Sequence, residues 1–112
     1  MSRNSLSTNQ ELHRGDYLIS NDGNFKAIFQ DDGNFVVYTW KPVWASNTDG
    51  KPGTRLVMQA DGNLVIYDVS GHPFWASNSY QNSNGQDFRL TLSNDGSLVI
   101  NKSGAVLWSS KK

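Results

Sequence analysis

Five residues recur at alternate positions in two places. They are Gln30, Asp32, Asn34, Val36 and Tyr38, and then Gln59, Asp61, Asn63, Val65 and Tyr67. Gln and Asn each carry donors and an acceptor, Asp is a charged acceptor, and Tyr offers a hydroxyl. Val adds a small apolar surface. This set suits a neutral ligand with many hydroxyls and some C–H surface. A hydroxyl can donate to the Asp while it accepts from an amide, and a bond to a charged acceptor is worth roughly 1.5–3 kcal/mol before desolvation. A phosphate would ask for Arg, Lys or a helix N-terminus, and an apolar cofactor would ask for a deep pocket.

Such residues need a strand under them, because alternate positions share a face only there. In the second copy Leu64 and Ile66 take the opposite parity and form the expected core face, as do Phe35/Val37 and Leu98/Ile100. The polar set then faces outward or into a groove. Three segments align: FQDDGNFVVYTWKPVWASNT from Phe29, MQADGNLVIYDVSGHPFWASNS from Met58, and LSNDGSLVINKSGAVLWSS from Leu92. The spacing of roughly 30 residues marks an internal repeat whose units share one core. The repeats are expected at about 12–48, 49–79 and 80–110 of a single domain, 1–112. Each ends in a Trp followed by small polar residues. Trp44, Trp75 and Trp108 are therefore expected to meet near a pseudo-threefold axis, with Trp40 left outside that pattern. No stretch holds a 3.6-residue apolar period with caps, so no helix is expected. Residues 1–10 are polar and expected loose unless docked as a strand, and residues 80–87 read as a long hairpin loop.

The chain carries its own control. Asp22-Gly23-Asn24 repeats the turn, but Ser20 stands at the Gln position, Lys26 at the Val position and Ile28 at the Tyr position. Asp-Gly alone signals only a hairpin. The third repeat is degenerate, with Ser93, Asp95, Ser97, Val99 and Asn101 at the five positions. It keeps the turn and loses the Gln, Asn and Tyr.

Composition narrows the partners. Ten basic residues balance ten acidic ones and no long basic run occurs, which disfavours nucleic acid and anionic membranes. There is no cysteine, so no disulfide and no thiolate metal site. No apolar run approaches the ~20 residues of a membrane span. The N-terminal residues show no signal-peptide apolar region, so the sequence reads as cytoplasmic. The one sequon, Asn101-Lys102-Ser103, matters only on a secretory route.

The spaced pattern Gln-x-Asp-x-Asn-x-Val-x-Tyr resembles the mannose-binding motif of the bulb-type, or monocot mannose-binding, lectins. Both copies match it in full, and the likeness runs from about Leu12 to Trp108. The lack of cysteine is similar to the lily-type lectins of fish. The resemblance implies an all-β fold, a β-prism of three four-stranded antiparallel sheets about a pseudo-threefold axis. It implies a shallow site on each competent sheet, with no cofactor and no calcium. Asp32 and Asn34 would hold the axial 2-hydroxyl of mannose, Gln30 the 3-hydroxyl and Tyr38 the 4-hydroxyl, with Val36 against the ring carbons. Asp61, Asn63, Gln59, Tyr67 and Val65 would repeat these roles. Implied partners are mannose-containing glycans and glycoproteins on microbial or parasite surfaces, met outside the cell. A homodimer formed by exchange of a C-terminal strand, residues 104–110, is implied as well.

Two rival readings compete with this one. Glycoside hydrolysis needs two carboxylates roughly 5–10 Å apart across a bond. Asp31 and Asp32 are adjacent and would point to opposite faces, while His13 and His72 read as lone loop residues. No catalytic residue is assigned. The other rival is a protein-binding β-prism module with little sugar affinity, and two intact motifs weigh against it.

Overall fold

Alternation of Leu, Val, Ile and Phe with polar residues, broken by Asp-Gly turns, builds twelve short strands. A computed structural model describes residues 3–81 and 87–111. The strands are β1 (Ser5–Ser7), β2 (Glu11–His13), β3 (Tyr17–Ile19), β4 (Lys26–Phe29), β5 (Phe35–Tyr38) and β6 (Pro42–Ala45). They continue as β7 (Arg55–Met58), β8 (Leu64–Tyr67), β9 (Pro73–Ala76), β10 (Phe88–Leu92), β11 (Leu98–Lys102) and β12 (Ala105–Ser109). No helix occurs among the described residues. The strands form three four-stranded sheets, ordered β3-β4-β5-β6, β2-β7-β8-β9 and β1-β10-β11-β12, with every pairing antiparallel. This is the three-sheet prism that the family resemblance implies.

The N-terminal segment closes the prism. Its first three strands each join a different sheet: β1 lies beside β10, β2 beside β7 and β3 beside β4. Residues 5–7, expected loose unless docked, are docked as a strand. The sheets are thus not consecutive lengths of chain: β2 overlaps the expected first repeat but belongs to the second sheet. The central residues of the three strands, Leu6, Leu12 and Leu18, are fully buried. The loop reading for residues 80–87 falls mostly on residues 82–86, outside the described ones.

The core faces follow the alternation. Phe35/Val37, Leu64/Ile66 and Leu98/Ile100 are fully buried, packed with Phe29, Leu56, Met58, Leu90 and Leu92. The three repeat-end indoles meet edge to face. Trp44 and Trp75 have centroids 5.7 Å apart, Trp44 and Trp108 5.8 Å, and Trp75 and Trp108 6.0 Å. They are half-buried rather than fully enclosed, packed onto the core from the strands β6, β9 and β12. Edge-to-face pairs add about 0.5–1.5 kcal/mol each beyond the area they bury. Trp40 is 84% exposed at the β5–β6 turn, with the Lys41 ammonium 5.0 Å from its ring. The C-terminal strand β12 pairs with β11 of its own chain.

Two aromatics of the same type therefore have opposite expected costs. Trp44→Ala should lower unfolding stability in urea by about 2–3 kcal/mol, since it leaves a gap facing two indoles and Phe35. Trp40→Ala should change it by less than about 0.5 kcal/mol. Equal losses in the two variants would show that the three-indole contact does not hold the sheets together.

Candidate functional site

The β4–β5, β7–β8 and β10–β11 hairpins share one turn. In the first, the Gly33 N–H donates to the Gln30 carbonyl at 3.0 Å, and the Gln30 N–H donates to the Asn34 carbonyl at 2.8 Å. The second and third repeat both bonds, from Gly62 and Gln59 at 3.1 and 3.0 Å and from Gly96 and Ser93 at 3.0 and 2.9 Å. A three-residue loop whose last residue is left-handed has this pattern. Gly33 has φ +91°, and a Cβ there would lie 2.5 Å from the Lys51 carbonyl, so position and packing both require glycine. The Asp22-Gly23-Asn24 turn differs in closing Ser20 N–H to the Phe25 carbonyl, one residue further on. The control is thus a longer loop as well as one lacking the Gln and Tyr.

The structure brings together the polar residues of each intact motif. The Asp32 carboxylate only accepts, so the Gln30 atom beside it, 3.0 Å from Oδ1, is the amide Nε2. The Gln30 Oε1 is thereby turned to Tyr38, whose hydroxyl donates to it at 2.6 Å. The Asn34 N–H also donates to Asp32 Oδ1, at 2.9 Å. A backbone N–H only donates, so Thr48 N, 3.1 Å from the Asn34 side chain, identifies the contacted atom as Oδ1. Ser46 Oγ donates to the same oxygen at 3.2 Å. Each internal bond therefore forces the polarity left for a ligand. Asn34 keeps its Nδ2 donors, Tyr38 keeps oxygen lone pairs, and Asp32 keeps acceptor capacity on Oδ2.

The second sheet repeats the wiring. Gln59 Nε2 donates to Asp61 Oδ1 at 3.1 Å, the Asn63 N–H donates to it at 3.0 Å, and the Tyr67 hydroxyl donates to Gln59 Oε1. Asn63 Oδ1 accepts from Ser77 Oγ at 3.2 Å and from the Ser79 N–H at 3.3 Å. Both tyrosines follow a register shift against the neighbouring strand, between Val37 and Tyr38 and between Ile66 and Tyr67. A bulge at this point re-aims the side chain. Val36 and Val65 keep the outward parity but are only 3% exposed, and neither belongs to the core cluster. They leave little apolar surface free.

Sequence reasoning had not singled out Ser46, Thr48, Ser77 and Ser79 as supports. They are buried, yet among the described residues no buried side-chain polar atom lacks a partner. Their signal was the shared Trp-Ala-Ser-Asn-Thr/Ser ending, in which Asn47 and Asn78 take a left-handed φ of 60° that Asn tolerates. Ser46, Ser77 and Ser110 each accept a strand N–H, from Phe35, Leu64 and Leu98. Lys111 stands where Asn47 and Asn78 stand in the other two. Arg14 also escaped the sequence reading. Its guanidinium donates to the carbonyls of Asp31, Lys51 and Gly53, tying the first site's turn to the chain leading into the second sheet.

The third turn turns its polar groups inward. Asp95 Oδ1 accepts from Ser93 Oγ, from Ser97 Oγ at 2.8 Å and from the Ser97 N–H at 3.0 Å. These donors, the Ser93 hydroxyl foremost, hold its pKa down to about 2. Asn101 takes the Tyr position and Val99 the Val position. The histidines differ from the loop reading in one respect. His13 ends β2 and its Nε2 lies 2.6 Å from Glu11 Oε1, while His72 is in the turn before β9, its ring 5.0 Å from that of Phe74.

Grooves lined by oriented amides, a carboxylate and a tyrosine on an all-β prism define a carbohydrate-binding protein, a lectin rather than an enzyme. No protein-family model matches the chain. It is 51% identical over 109 residues to the B-type lectin plumieribetin of Scorpaena plumieri, covering 97% of this chain and 96% of that one. Among solved structures it is similar to a monomeric monocot mannose-binding lectin from Gastrodia elata, with TM-score 0.87, 35% identity and 97% of both chains covered. It is also similar to the mannose-specific agglutinin of snowdrop (Galanthus nivalis) complexed with methyl-α-D-mannoside. That likeness has TM-score 0.80 and 41% identity, covering 89% of this chain and 90% of the other. The chain belongs to the bulb-type, B-type lectin family.

The Asn34 N–H, then the Gln30 amide, hold the Asp32 pKa below its ordinary 3.8, with the Arg14 charge a smaller contribution. A lowered folded-state pKa stabilises the fold above the ordinary value, and that contribution is lost as pH falls below it. A carboxyl-carbon NMR titration should place the Asp32 midpoint below 3.8, and Gln30→Met should raise it. A midpoint unmoved by that change would show that the Gln30 bond is not formed in solution.

Proposed function

We propose that this lectin binds terminal mannose of glycans, without calcium, at Gln30, Asp32, Asn34, Val36 and Tyr38 and again at Gln59, Asp61, Asn63, Val65 and Tyr67. The observation that carries this reading is the forced polarity of the two grooves. A sugar hydroxyl can donate to Asp32 Oδ2 and accept from Asn34 Nδ2 at one point, as the axial 2-hydroxyl of mannose would require. The Tyr38 oxygen accepts from a second hydroxyl, the 4-hydroxyl, and the remaining Gln30 N–H meets the 3-hydroxyl. The second groove offers the same donors and acceptors. The likeness to the snowdrop agglutinin, whose complex contains methyl-α-D-mannoside, supports the choice of sugar.

The third groove does not bind in this reading. Its Asp95 Oδ1 is occupied by Ser93 and Ser97, and it lacks the Gln, Asn and Tyr that would orient a sugar at the other two. A shallow site alone should be weak, near millimolar or about −4 kcal/mol. Two sites on one chain multiply this on a surface dense in mannose, which fits a defence role against microbial or parasite surfaces. Exchange of β12 between two copies would keep its pairing with a β11 and bring the intact sites of both together. Light scattering at micromolar concentration should then give twice the chain mass, and a single-chain mass would remove this part of the reading.

Calorimetric titration with methyl α-mannoside should give a Kd near about 1 mM at two sites, unaltered by a chelator. Asp32→Ala should leave one site, and Asp32→Ala with Asp61→Ala should leave none while the circular dichroism stays that of the folded protein. Absence of heat from folded protein at tens of millimolar sugar would overturn the reading. Binding that survives the double substitution would overturn the site assignment.

A further inference from the structure

The two intact grooves match in their five motif residues but not in what lies beside them. In the second sheet the register sets Glu11, Val57 and Val65 in one row and His13, Arg55 and Tyr67 in the next. In the first sheet the corresponding rows are Tyr17, Ile28 and Val36, and Ile19, Lys26 and Tyr38. Arg55 thus stands where Lys26 stands. Asn9 stands where Gly15 stands, since the N–H of each donates to the last residue of the neighbouring strand, Met58 and Phe29. Ala60 stands where the carboxylate of Asp31 stands.

These exchanges change the shape of the groove. In the second sheet a depression of about 400 Å³ runs without a break from Gln59, Asp61 and Tyr67 across Val57 to Asn9, Arg55 and Ala60. Beside the first sheet a separate depression of about 340 Å³ is lined by Arg3, Gly15, Asp16 and Tyr17. There the Lys26 ammonium sits 4.2 Å over the Tyr17 ring. In the second, the guanidinium of Arg55 lies 5.2 Å over the Tyr67 ring and donates to Glu11 Oε2 at 3.4 Å. That stacking and that ion pair hold a half-exposed Arg in place at the rim of the groove. A guanidinium has five donors, and this contact uses one of them.

We infer that the second groove is a two-sugar site, in which Asn9, Arg55 and Ala60 receive a second neutral hexose linked to the mannose, whereas the first groove receives a single terminal mannose. This rests on the mannose reading above. The donors of Arg55 and Asn9 meet hydroxyls of the second ring, and Ala60 leaves room for its C–H face. The carboxylate of Asp61 lines the same space and that of Glu11 already pairs with Arg55, so the second ring is neutral rather than a uronate or a phosphorylated sugar. The positions are those at which this chain's own two repeats disagree, so the lectin carries two sites of different reach.

The test uses each groove alone. Asp32→Ala leaves the second, and Asp61→Ala leaves the first. Each is titrated with methyl α-mannoside and with α-linked mannobioses. The second groove should prefer a mannobiose over the monosaccharide by about tenfold, the worth of two added hydrogen bonds, and the first by less than about twofold. Adding Asn9→Gly, Arg55→Lys and Ala60→Asp to the Asp32→Ala protein gives the second groove the first groove's residues at these three positions, and Gly accepts the φ of +66° at position 9. The disaccharide preference should fall to that of the first groove. Equal preference in the two single-groove proteins would overturn the inference and leave the mannose reading standing. A preference unmoved by the added substitutions would overturn the residue assignment. Failure of both proteins to bind methyl α-mannoside would overturn the mannose reading and this inference together.

Discussion

The prism depends on the contact of three indoles. Trp44, Trp75 and Trp108 sit on the edge strands β6, β9 and β12, opposite the fully buried Val37, Ile66 and Ile100. Their centroids lie 5.7 to 6.0 Å apart, edge to face, with interplanar angles of 71° to 76°. An aromatic face is electron-rich and its edge electron-poor, so a mutual edge-to-face set is favourable. Three such rings can each satisfy both neighbours only if the strands that carry them converge. That convergence turns one face of every sheet inward to the core and leaves the other outward. The grooves are consequences of it.

On the outward faces, hydrogen bonding inside the protein decides what a ligand meets. Each intact groove is a chain of donors from Tyr to Gln to Asp, braced by an Asn whose carbonyl oxygen is occupied from behind by a hydroxyl and a backbone N–H. No link can be reversed without placing two donors or two acceptors face to face. The third groove shows the alternative use of the same turn. Short Ser side chains reach one oxygen of the Asp95 carboxylate but extend no further. A bound carboxylate is therefore insufficient; the long amide and the phenol carry its polarity out to solvent.

Much of this was legible in the chain. The period of about 30 residues, the period-two alternation and the Trp endings gave three repeat units and their core faces, because burial acts on every second residue of a strand whatever lies far away; the three four-stranded sheets came from the family resemblance. The contacts spanning long stretches of sequence were less accessible. Ser5–Ser7 is polar at both flanks of a single Leu, and only its pairing with β10 makes it a strand. His13 read as a loop residue for the same reason. Ser46 and Thr48 looked like generic small polar residues until Asn34 was found folded back onto them. Arg14 is one basic residue among ten, and nothing local marks its grip on three carbonyls.

What the sequence by itself determined is the inventory and its spacing: two complete sets of groove residues, one degraded set, three turns that demand glycine and three indoles. These are properties of residue type and local period, which a chain carries into any environment. What only the tertiary structure decided is which way each amide points, that Val36 and Val65 are buried rather than surface, and which side chains come to lie beside each groove. Those depend on β2 and β3 arriving from a distant part of the chain beside β7 and β4. The side chains they bring, Asn9 against Gly15 and Glu11 against Tyr17, acquire meaning only from the strand they come to rest against.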